Sequence, residues 1–355
     1  MLERIACLAA ERACVDHLYT MFDTGKPLSP TVDRINHRAS FLRLFPPGIR
    51  RWLLPFYPAA VGSLGKTLAR DHRTHPIDLL ISTSSAAIKG LRAPPGIAHM
   101  CYCHAPARYI WSIRDEYALG QGLVSRLAQL GLTMASPSYK RWDRASAGHV
   151  TQFLANSTHT QAEIQRCFGC ESEVVYPPVR TDLFTPDSTV SRDSFWLFVG
   201  ALEPYKRLDL AIAAARHAGA KLVVAGTGSL EKTLRRSRPD PHIQLLGRVS
   251  DGQLVRLLRS AQLLIYPQIE DFGITAVEAQ ACGCPVVARR AGGALDTVVD
   301  GTTGAFFDDP APVAIARAAA ACPHDASACR IQAERFGEEV FDDAIRKQLD
   351  HFLPR

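Results

Sequence analysis

The sequence predicts an α/β fold built of two doubly wound domains, and three observations carry that expectation. Short apolar, β-favouring runs alternate with helix-compatible stretches from about residue 77 to residue 307. The alternation breaks once, at Pro177-Pro178, so residues 177–192 read as a linker. The length, 355 residues, suits two domains with a large buried core. Regular βα alternation implies parallel sheets with helices on both faces. Two such domains joined by a hinge leave a cleft, the natural place for a ligand.

In the first half, residues 77–82 (IDLLIS) read as a strand followed by the small-residue turn Thr83-Ser84-Ser85. Residues 98–103 and 150–156 are further strands, and Asn156-Ser157 opens a helix that runs to Phe168. Residues 173–176 form a short last strand. In the second half, strands are expected at 195–199, 220–225, 243–246, 263–266 and 286–288, and a last extended stretch at 301–307. Helices are expected at 207–218, at 251–260 and at 274–282, the last stopped by Gly283 and Pro285. Gly292-Gly293 precedes a short helix through Val299, and residues 336–352 are helical. At the start of the chain, Leu2-Glu3-Arg4-Ile5-Ala6 reads as helix. No strand and no glycine precede it; Gly25 is the first glycine.

Composition sets limits. Hydrophobic content of 47% and charged content of 21% are those of a globular protein, and no run of 18 apolar residues predicts a membrane-spanning helix. The first residues, MLERIACLAAERACVD, are charged throughout and lack a secretory apolar core, so a cytosolic protein is expected. Charge is uneven: residues 26–150 hold 17 Lys/Arg against 6 Asp/Glu, a net of +11 in a chain whose total is +6. A basic first half suits an anionic membrane face or a lipid diphosphate. Nucleic acid is a poor fit, since no recognition motif and no Lys/Arg run longer than two occurs. Ten cysteines include the close pairs Cys101/Cys103, Cys167/Cys170 and Cys282/Cys284. No second ligand pair stands at zinc spacing, so reduced, mostly buried thiols are expected.

Three segments carry the chemistry. The first is Pro267 to Pro285, PQIEDFGITAVEAQACGCP. With the strands on either side, residues 263–266 and 286–288, the unit reads as strand, acidic turn, helix and strand. Glu270 lies in the turn, and Glu278, eight positions on, lies inside the helix. This sets an acid and a helix N-terminus at the carboxyl edge of a parallel sheet, where α/β folds bind ligands. The N-terminal N–H groups suit phosphate or sugar oxygens. The second segment is Phe198 to Arg207, FVGALEPYKR, a strand and loop ending in a Lys-Arg pair at a helix start; alone, such a pair is an ordinary solvated one. The third is Tyr102 to Trp111, YCHAPARYIW, with a His at the end of a strand, fixed by a nearby Pro and followed by Arg and aromatics.

These segments resemble the retaining nucleotide-sugar glycosyltransferases of family 4, which have the GT-B fold of two Rossmann-like domains facing a cleft. The first segment resembles that family's Glu-x7-Glu signature. The third resembles the His-x-Pro-x-Arg-Tyr segment of a bacterial mannosyltransferase branch. The resemblance implies that Glu270, Phe272, Gly273 and Ile274 face the donor hexose and that Glu278 takes the ribose hydroxyls. A carboxylate can accept two hydrogen bonds from a vicinal diol, which fits that role. It implies that Lys206 binds the phosphates, with Arg207 as second cation because Ala201 stands where the family usually has Arg. It implies that Gly247, Arg248 and Val249 meet the base through backbone groups. His104 is implied near the reacting centre, and Arg108 and Tyr109 on the acceptor side. His104, Lys206 and Glu270 are thus the catalytic candidates.

The sequence departs from the family at its start, where the usual opening strand and Gly-rich turn are absent. The expectation is therefore a GT-B protein whose first domain lacks its N-terminal strand. Its parts are residues 1–180, a nucleotide-sugar domain at 181–335, and a C-terminal helix, 336–355, crossing back to the first domain. Residues 50–57 (RRWLLPFY) either dock on a membrane or pack as a helix with two exposed arginines. The implied function is transfer of a hexose, mannose from GDP-mannose, to a polysaccharide or lipid-linked oligosaccharide, by front-face displacement. The rivals are a non-catalytic nucleotide-sugar-binding protein, an N-terminally truncated inactive transferase, and a phosphorylase- or epimerase-like use of the fold. No Asp-x-Asp stands at a strand end, so neither a metal nor another cofactor is expected.

Overall fold

The computed structural model describes residues 1–23, 25–46, 53–111, 136–236 and 240–353. It divides into two compact units, Met1–Val175 with Asp342–Arg355, and Tyr176–Phe341.

The first unit opens on helix α1 (Leu2–Ala10), then strands β1 (His17–Thr20) and β2 (Asn36–Ala39), which pair in parallel as a sheet of their own. Helix α2 (Tyr57–Thr74) follows, then β3 (Leu79–Ser84), β4 (Ala98–Cys103), helix α3 (Arg108–Trp111), helix α4 (136–147), β5 (Gln152–Ala155), helix α5 (Thr158–Phe168) and β6 (Ser172–Val174). The four later strands form one parallel sheet in the order β3-β4-β5-β6. The expectation of strands only from residue 77 onward is corrected by β1 and β2. Their sequences, HLYT and NHRA, carry no apolar run or clean alternation, so pairing rather than pattern makes them strands. Leu42, Leu64, Leu68, Leu80 and Ile110 share one core; Cys101, Phe153, Ala155, Ile164 and Phe168 share another.

Local signals set α5 cleanly. The Ser157 hydroxyl accepts the Thr160 N–H at 2.9 Å, and Gly169 ends the helix at φ 73°. A buried ion pair joins α4 to the short turn Ile88–Gly90 between β3 and β4. Lys89 donates to the Asp143 carboxylate and sits 4.4 Å over the Phe168 ring, and Trp111 Nε1 donates to the other Asp143 oxygen at 2.8 Å. Such a pair is costly to desolvate but very costly to break once made. The last helix, α13 (Glu338–Phe352), ends within this unit: Arg4 bonds Asp342, Arg12 bonds Asp350, and Arg346 bonds Glu11. The Arg4–Asp342 pair is partly buried, while the other two are exposed and contribute little each. Burial of Ile345 and Leu349 does most of the holding.

The second unit is a six-stranded parallel sheet. Its strands are β7 (Phe195–Val199), β8 (Lys221–Ala225), β9 (Ile243–Gly247), β10 (Leu263–Tyr266), β11 (Val286–Arg289) and β12 (Gly304–Phe307), in the order β12-β11-β10-β7-β8-β9. Alternate residues supply opposite faces. Leu197, Val223, Leu264, Val286 and Ala288 enter one core, and Trp196, Phe198, Leu222, Ile265 and Val287 the other. That is why these strands read as unbroken apolar runs in the sequence. The helices are α6 (Leu208–Ala218), α7 (Glu231–Arg236), α8 (Asp251–Ser260), α9 (Ile274–Ala281), α10 (Ala294–Thr297), α11 (Pro312–Ala320) and α12 (Ala326–Glu334). Of these, α7, α11 and α12 were not expected from sequence. The chain runs outward from β7 through β8 to β9, then returns to β10 on the other side of β7. The strand order therefore reverses between β7 and β10, and a crevice opens at their carboxyl ends. The division after Val175, rather than after Arg180, follows from Tyr176, whose ring packs on Phe272 and Phe336.

All ten cysteines are free thiols, seven of them buried. Among the described residues no helix is long and apolar enough to cross a membrane, and no group of three His, Cys, Asp or Glu side chains is placed to hold a metal ion.

Candidate functional site

The carboxyl ends of β7 and β10 bring together residues 64 positions apart. Lys206 Nζ donates to the Glu270 carboxylate, and both side chains remain partly open to solvent. Lys206 ends a short turn, Pro204–Lys206. The next residue, Arg207, is left-handed at φ 54°, ψ 38°, and it caps α6 rather than beginning it. Among the described residues it alone has positive φ without being glycine, at a cost of about 1–2 kcal/mol. Its guanidinium engages Asp209 at 3.0 Å. Each of the two expected phosphate cations is thus paired with a carboxylate, Lys206 with Glu270 and Arg207 with Asp209 two residues on.

The loop from Glu270 to Gly273 is clamped from both sides. The Gly293 N–H donates to the Glu270 carbonyl at 2.9 Å, and a Cβ on Gly293 would lie 2.3 Å from Phe272 Cα. On the other side the Phe272 ring, 3% exposed, packs against Phe336 and Tyr176 at centroid distances of 5.4 and 5.8 Å. Gly273 takes φ 98° as the cap of α9, with the Tyr266 hydroxyl beneath it. Only glycine adopts that backbone cheaply with so little space. The N–H groups of Ile274 and Thr275, at the start of α9, lack intrahelical acceptors by the geometry of any helix, the Ala276 N–H donates to the Gly273 carbonyl at 3.0 Å, and the Ile274 side chain is exposed. Loop, helix start and Lys206 thus present donors and positive charge around one acid, a setting suited to an anion and a polyol.

Glu278 lies one turn into α9 and is half-buried. Burial pushes its carboxyl up to about 7, opposed by the charge of Arg180. Arg180 bonds Asp251, the first residue of α8, at 2.8 Å. Glu278 therefore neighbours the loop between β9 and α8, where Arg248 is exposed and Val249 half-buried. Neither Arg180 nor Asp251 was read from the sequence: Arg180 lies in the linker and Asp251 looked like a plain helix start.

His104, Arg108 and Tyr109 belong to the other unit. His104 closes β4. Its N–H donates to the Ser84 carbonyl at 2.8 Å, and its ring meets Tyr102 edge-on at 5.3 Å. Burial holds its imidazole below the ordinary histidine range. Arg108 opens α3 and is half-buried. The Tyr109 side chain, and residues 50–52 of the basic aromatic segment, lie outside the described residues.

The Glu278 shift has a sign that can be tested. An acid whose folded pKa is raised loses stability for the fold as pH climbs from its ordinary value to about 7, and the penalty is complete above that. Hydroxyl donors favour the ionised form. With a ribose diol on Glu278, as the resemblance implies, nucleoside diphosphate affinity should rise with pH through about 7, and Glu278→Gln should flatten the profile and weaken binding about tenfold or more. Calorimetric titration across that range checks it; a parallel pH profile in the variant would remove Glu278 from the site.

Residues 181–340 match the family described as Glycosyl transferases group 1, and residues 14–183 match Glycosyltransferase Family 4. Two similar curated proteins are a D-inositol 3-phosphate glycosyltransferase of Mycolicibacterium smegmatis and D-inositol 3-phosphate glycosyltransferase 2 of Catenulispora acidiphila. The first is 37% identical over 159 residues, 38% of this chain and 36% of the relative. The second is 32% identical over 229 residues, 55% of this chain and 52% of the relative. The chain thus spans between about a third and about half of the length of these relatives. Among solved structures, sucrose-phosphate synthase from Thermosynechococcus elongatus superposes with a TM-score of 0.74 at 15% identity, over 99% of this chain and 92% of that one. Anabaena Alr3699/HepE in complex with UDP and glucose gives 0.67 at 17%, over 98% and 94%. At such identities the likeness speaks for the fold, two Rossmann-like units of the GT-B kind.

Proposed function

The chain is built of a Family 4 glycosyltransferase domain followed by a group 1 glycosyl transferase domain, and on that premise we propose that it is a retaining hexosyltransferase using a nucleotide-sugar donor. The observation that carries this reading is the Lys206–Glu270 pair at the strand-order reversal, beside the start of α9 and one turn from Glu278. A donor diphosphate would sit against Lys206 and the α9 N-terminus, with the ribose on Glu278. As the bond from the anomeric carbon to the phosphate oxygen breaks, negative charge grows on that oxygen, and Lys206 and the helix N–H groups stabilise it more than the ground state. The acceptor hydroxyl attacks from the same face and forms the new glycosidic bond. Its proton passes to the departing phosphate oxygen, and Glu270 holds a hydroxyl of the transferred sugar.

Mannose from GDP-mannose is our donor assignment, supported by the segment from Tyr102 to Trp111, and a polysaccharide or lipid-linked oligosaccharide is the acceptor class. A UDP-sugar donor is the second reading, favoured by the UDP and glucose bound to the HepE structure. The relatives' names point instead to an inositol phosphate acceptor. Release of nucleoside diphosphate from GDP-mannose and from UDP-glucose tests the choice, and NMR of the product reads the anomeric configuration. Release from UDP-glucose alone would overturn the donor assignment; an inverted anomer would overturn retention. Tight donor binding without release would make the chain a non-catalytic nucleotide-sugar-binding protein.

His104→Ala should cut transfer by about a hundredfold or more while leaving donor affinity within about twofold, because Lys206, Glu270 and Glu278 all lie in the other unit. A near-normal rate in folded protein would make His104 structural.

We also assign the protein to the cytoplasmic face of a membrane. The net charge of +11 over residues 26–150 is accompanied by exposed Phe41, Leu44, Phe45 and Phe56. Cosedimentation with anionic vesicles, weakening as salt shortens the Debye length below about 10 Å, is the expected result. Equal binding to neutral vesicles, or none to either, would sink the assignment.

A further inference from the structure

The reading above leaves the base unassigned to any side chain, and in the second unit a charged pair borders the backbone at the end of β9. Three observations locate it. Lys206 and Glu270 mark the phosphate and sugar end, at the carboxyl ends of β7 and β10. Glu278 feels the charges of Arg180 and Asp251, so a ribose on Glu278 sits beside the start of α8. The nucleoside therefore extends from β10 toward the loop that leaves β9 at Gly247. Gly247 takes φ 74°, and its carbonyl accepts the Gly226 N–H at 2.8 Å, which brings the ends of β8 and β9 together.

Over Gly247 lies the ion pair of α7. Arg235 Nε donates to Glu231 Oε1 at 3.0 Å. A Cβ on Gly247 would stand 3.4 Å from Arg235 Nη2 and 4.0 Å from Glu231 Oε1. A glutamate and an arginine one turn apart on an exposed helix are ordinarily a weak surface pair. This pair differs in its position, because both charged heads border the backbone at the end of β9, and Glu231 is only 26% exposed.

We propose that Glu231 and Arg235 read the base of the donor and select guanine. The inference rests on the nucleotide-sugar reading of the second unit. Guanine presents one acceptor, O6, beside two parallel donors, N1–H and the 2-amino group. A carboxylate accepts two parallel N–H bonds, and a guanidinium donates to O6. The other bases fit this pair less well. Uracil has one N–H between two carbonyls, so the second carboxylate oxygen meets a carbonyl oxygen. Adenine turns a lone pair toward the carboxylate. Discrimination then comes from repulsion as well as attraction.

Calorimetry of the full chain with GDP, IDP, UDP and ADP tests this. IDP lacks only the 2-amino group, so it removes one of the two bonds to Glu231. GDP should bind about tenfold tighter than IDP and tighter still than UDP and ADP. In Glu231→Gln, GDP and IDP should bind within about twofold of each other. A GDP preference that persists undiminished in Glu231→Gln would overturn the assignment to this residue. Binding of UDP or ADP as tight as GDP would overturn guanine selection while leaving the nucleotide reading intact. Failure of all four nucleotides to bind would overturn the nucleotide reading itself, and this inference with it.

Discussion

Replacing Lys206 by alanine is expected to lower turnover by about 10²–10³-fold, the usual effect of losing one preorganised stabiliser of a leaving-group charge. Nucleoside alone should bind as in the parent, because in the proposed reading the cation meets phosphate and not the nucleoside. A nucleoside diphosphate should lose much less than turnover does, because its charge is already formed and partly solvated. Equal losses for nucleoside and nucleoside diphosphate would count against a phosphate role. The opposite partner gives a contrast. Glu270→Gln leaves the Lys206 ammonium without the carboxylate it now bonds, so a nucleoside diphosphate should bind several-fold tighter by simple charge arithmetic, while transfer still falls through the lost sugar contact. Burst and steady-state kinetics beside calorimetry read all of these quantities.

The second large effect belongs to Gly293. Its backbone is in the ordinary right-handed region, at φ −67°, so alanine there brings no conformational strain. The obstacle is space. A new Cβ would lie 2.3 Å from Phe272 Cα and 2.4 Å from the Phe272 carbonyl oxygen. These are backbone atoms, so the loop from Glu270 to Gly273 must move by about an ångström. Overpacking of this kind costs about 1–3 kcal/mol of stability, and a displacement of that size in a positioning loop costs about 10² in rate. Gly301→Ala is the control. It carries φ 70° but nothing lies within 4 Å of its added Cβ. It should lose about 1–2 kcal/mol of stability through backbone strain and keep its activity. Thermal unfolding and donor affinity measured on both variants separate the two causes. Equal retention of activity by Gly293→Ala would mean that the loop is not held in place by this contact.

Much of the second unit was legible because its signals are local. Leu263 to Tyr266 is apolar on both faces since the strand is covered on both sides, and the pattern shows it directly. Gly273 before Ile274, and Gly283 after the helix, mark the ends of α9 within a residue. The same held for Ser157 and Gly169 around α5. Glu270 and Glu278 could be picked out because turn and helix N-terminus follow from adjacent residues. The first unit was less legible at its start. β1 and β2 are polar, half-exposed strands that exist through mutual pairing, and nothing in HLYT or NHRA distinguishes them from loop.

Residue order alone thus determined the α/β class, the division near Pro177-Pro178, and which acids stand at a strand end. All three depend on periodicity, chain-breaking residues and hydrogen bonds between near neighbours, which a linear pattern records. Contacts between distant residues followed another rule. Lys206 could be matched to Glu270, Arg180 to Asp251 beside Glu278, and Arg235 to the backbone at Gly247 only after the strand order β12-β11-β10-β7-β8-β9 had placed their loops side by side. Charge acts through distance in space, and spacing along a chain does not reveal that distance until the sheet has brought its strands into register.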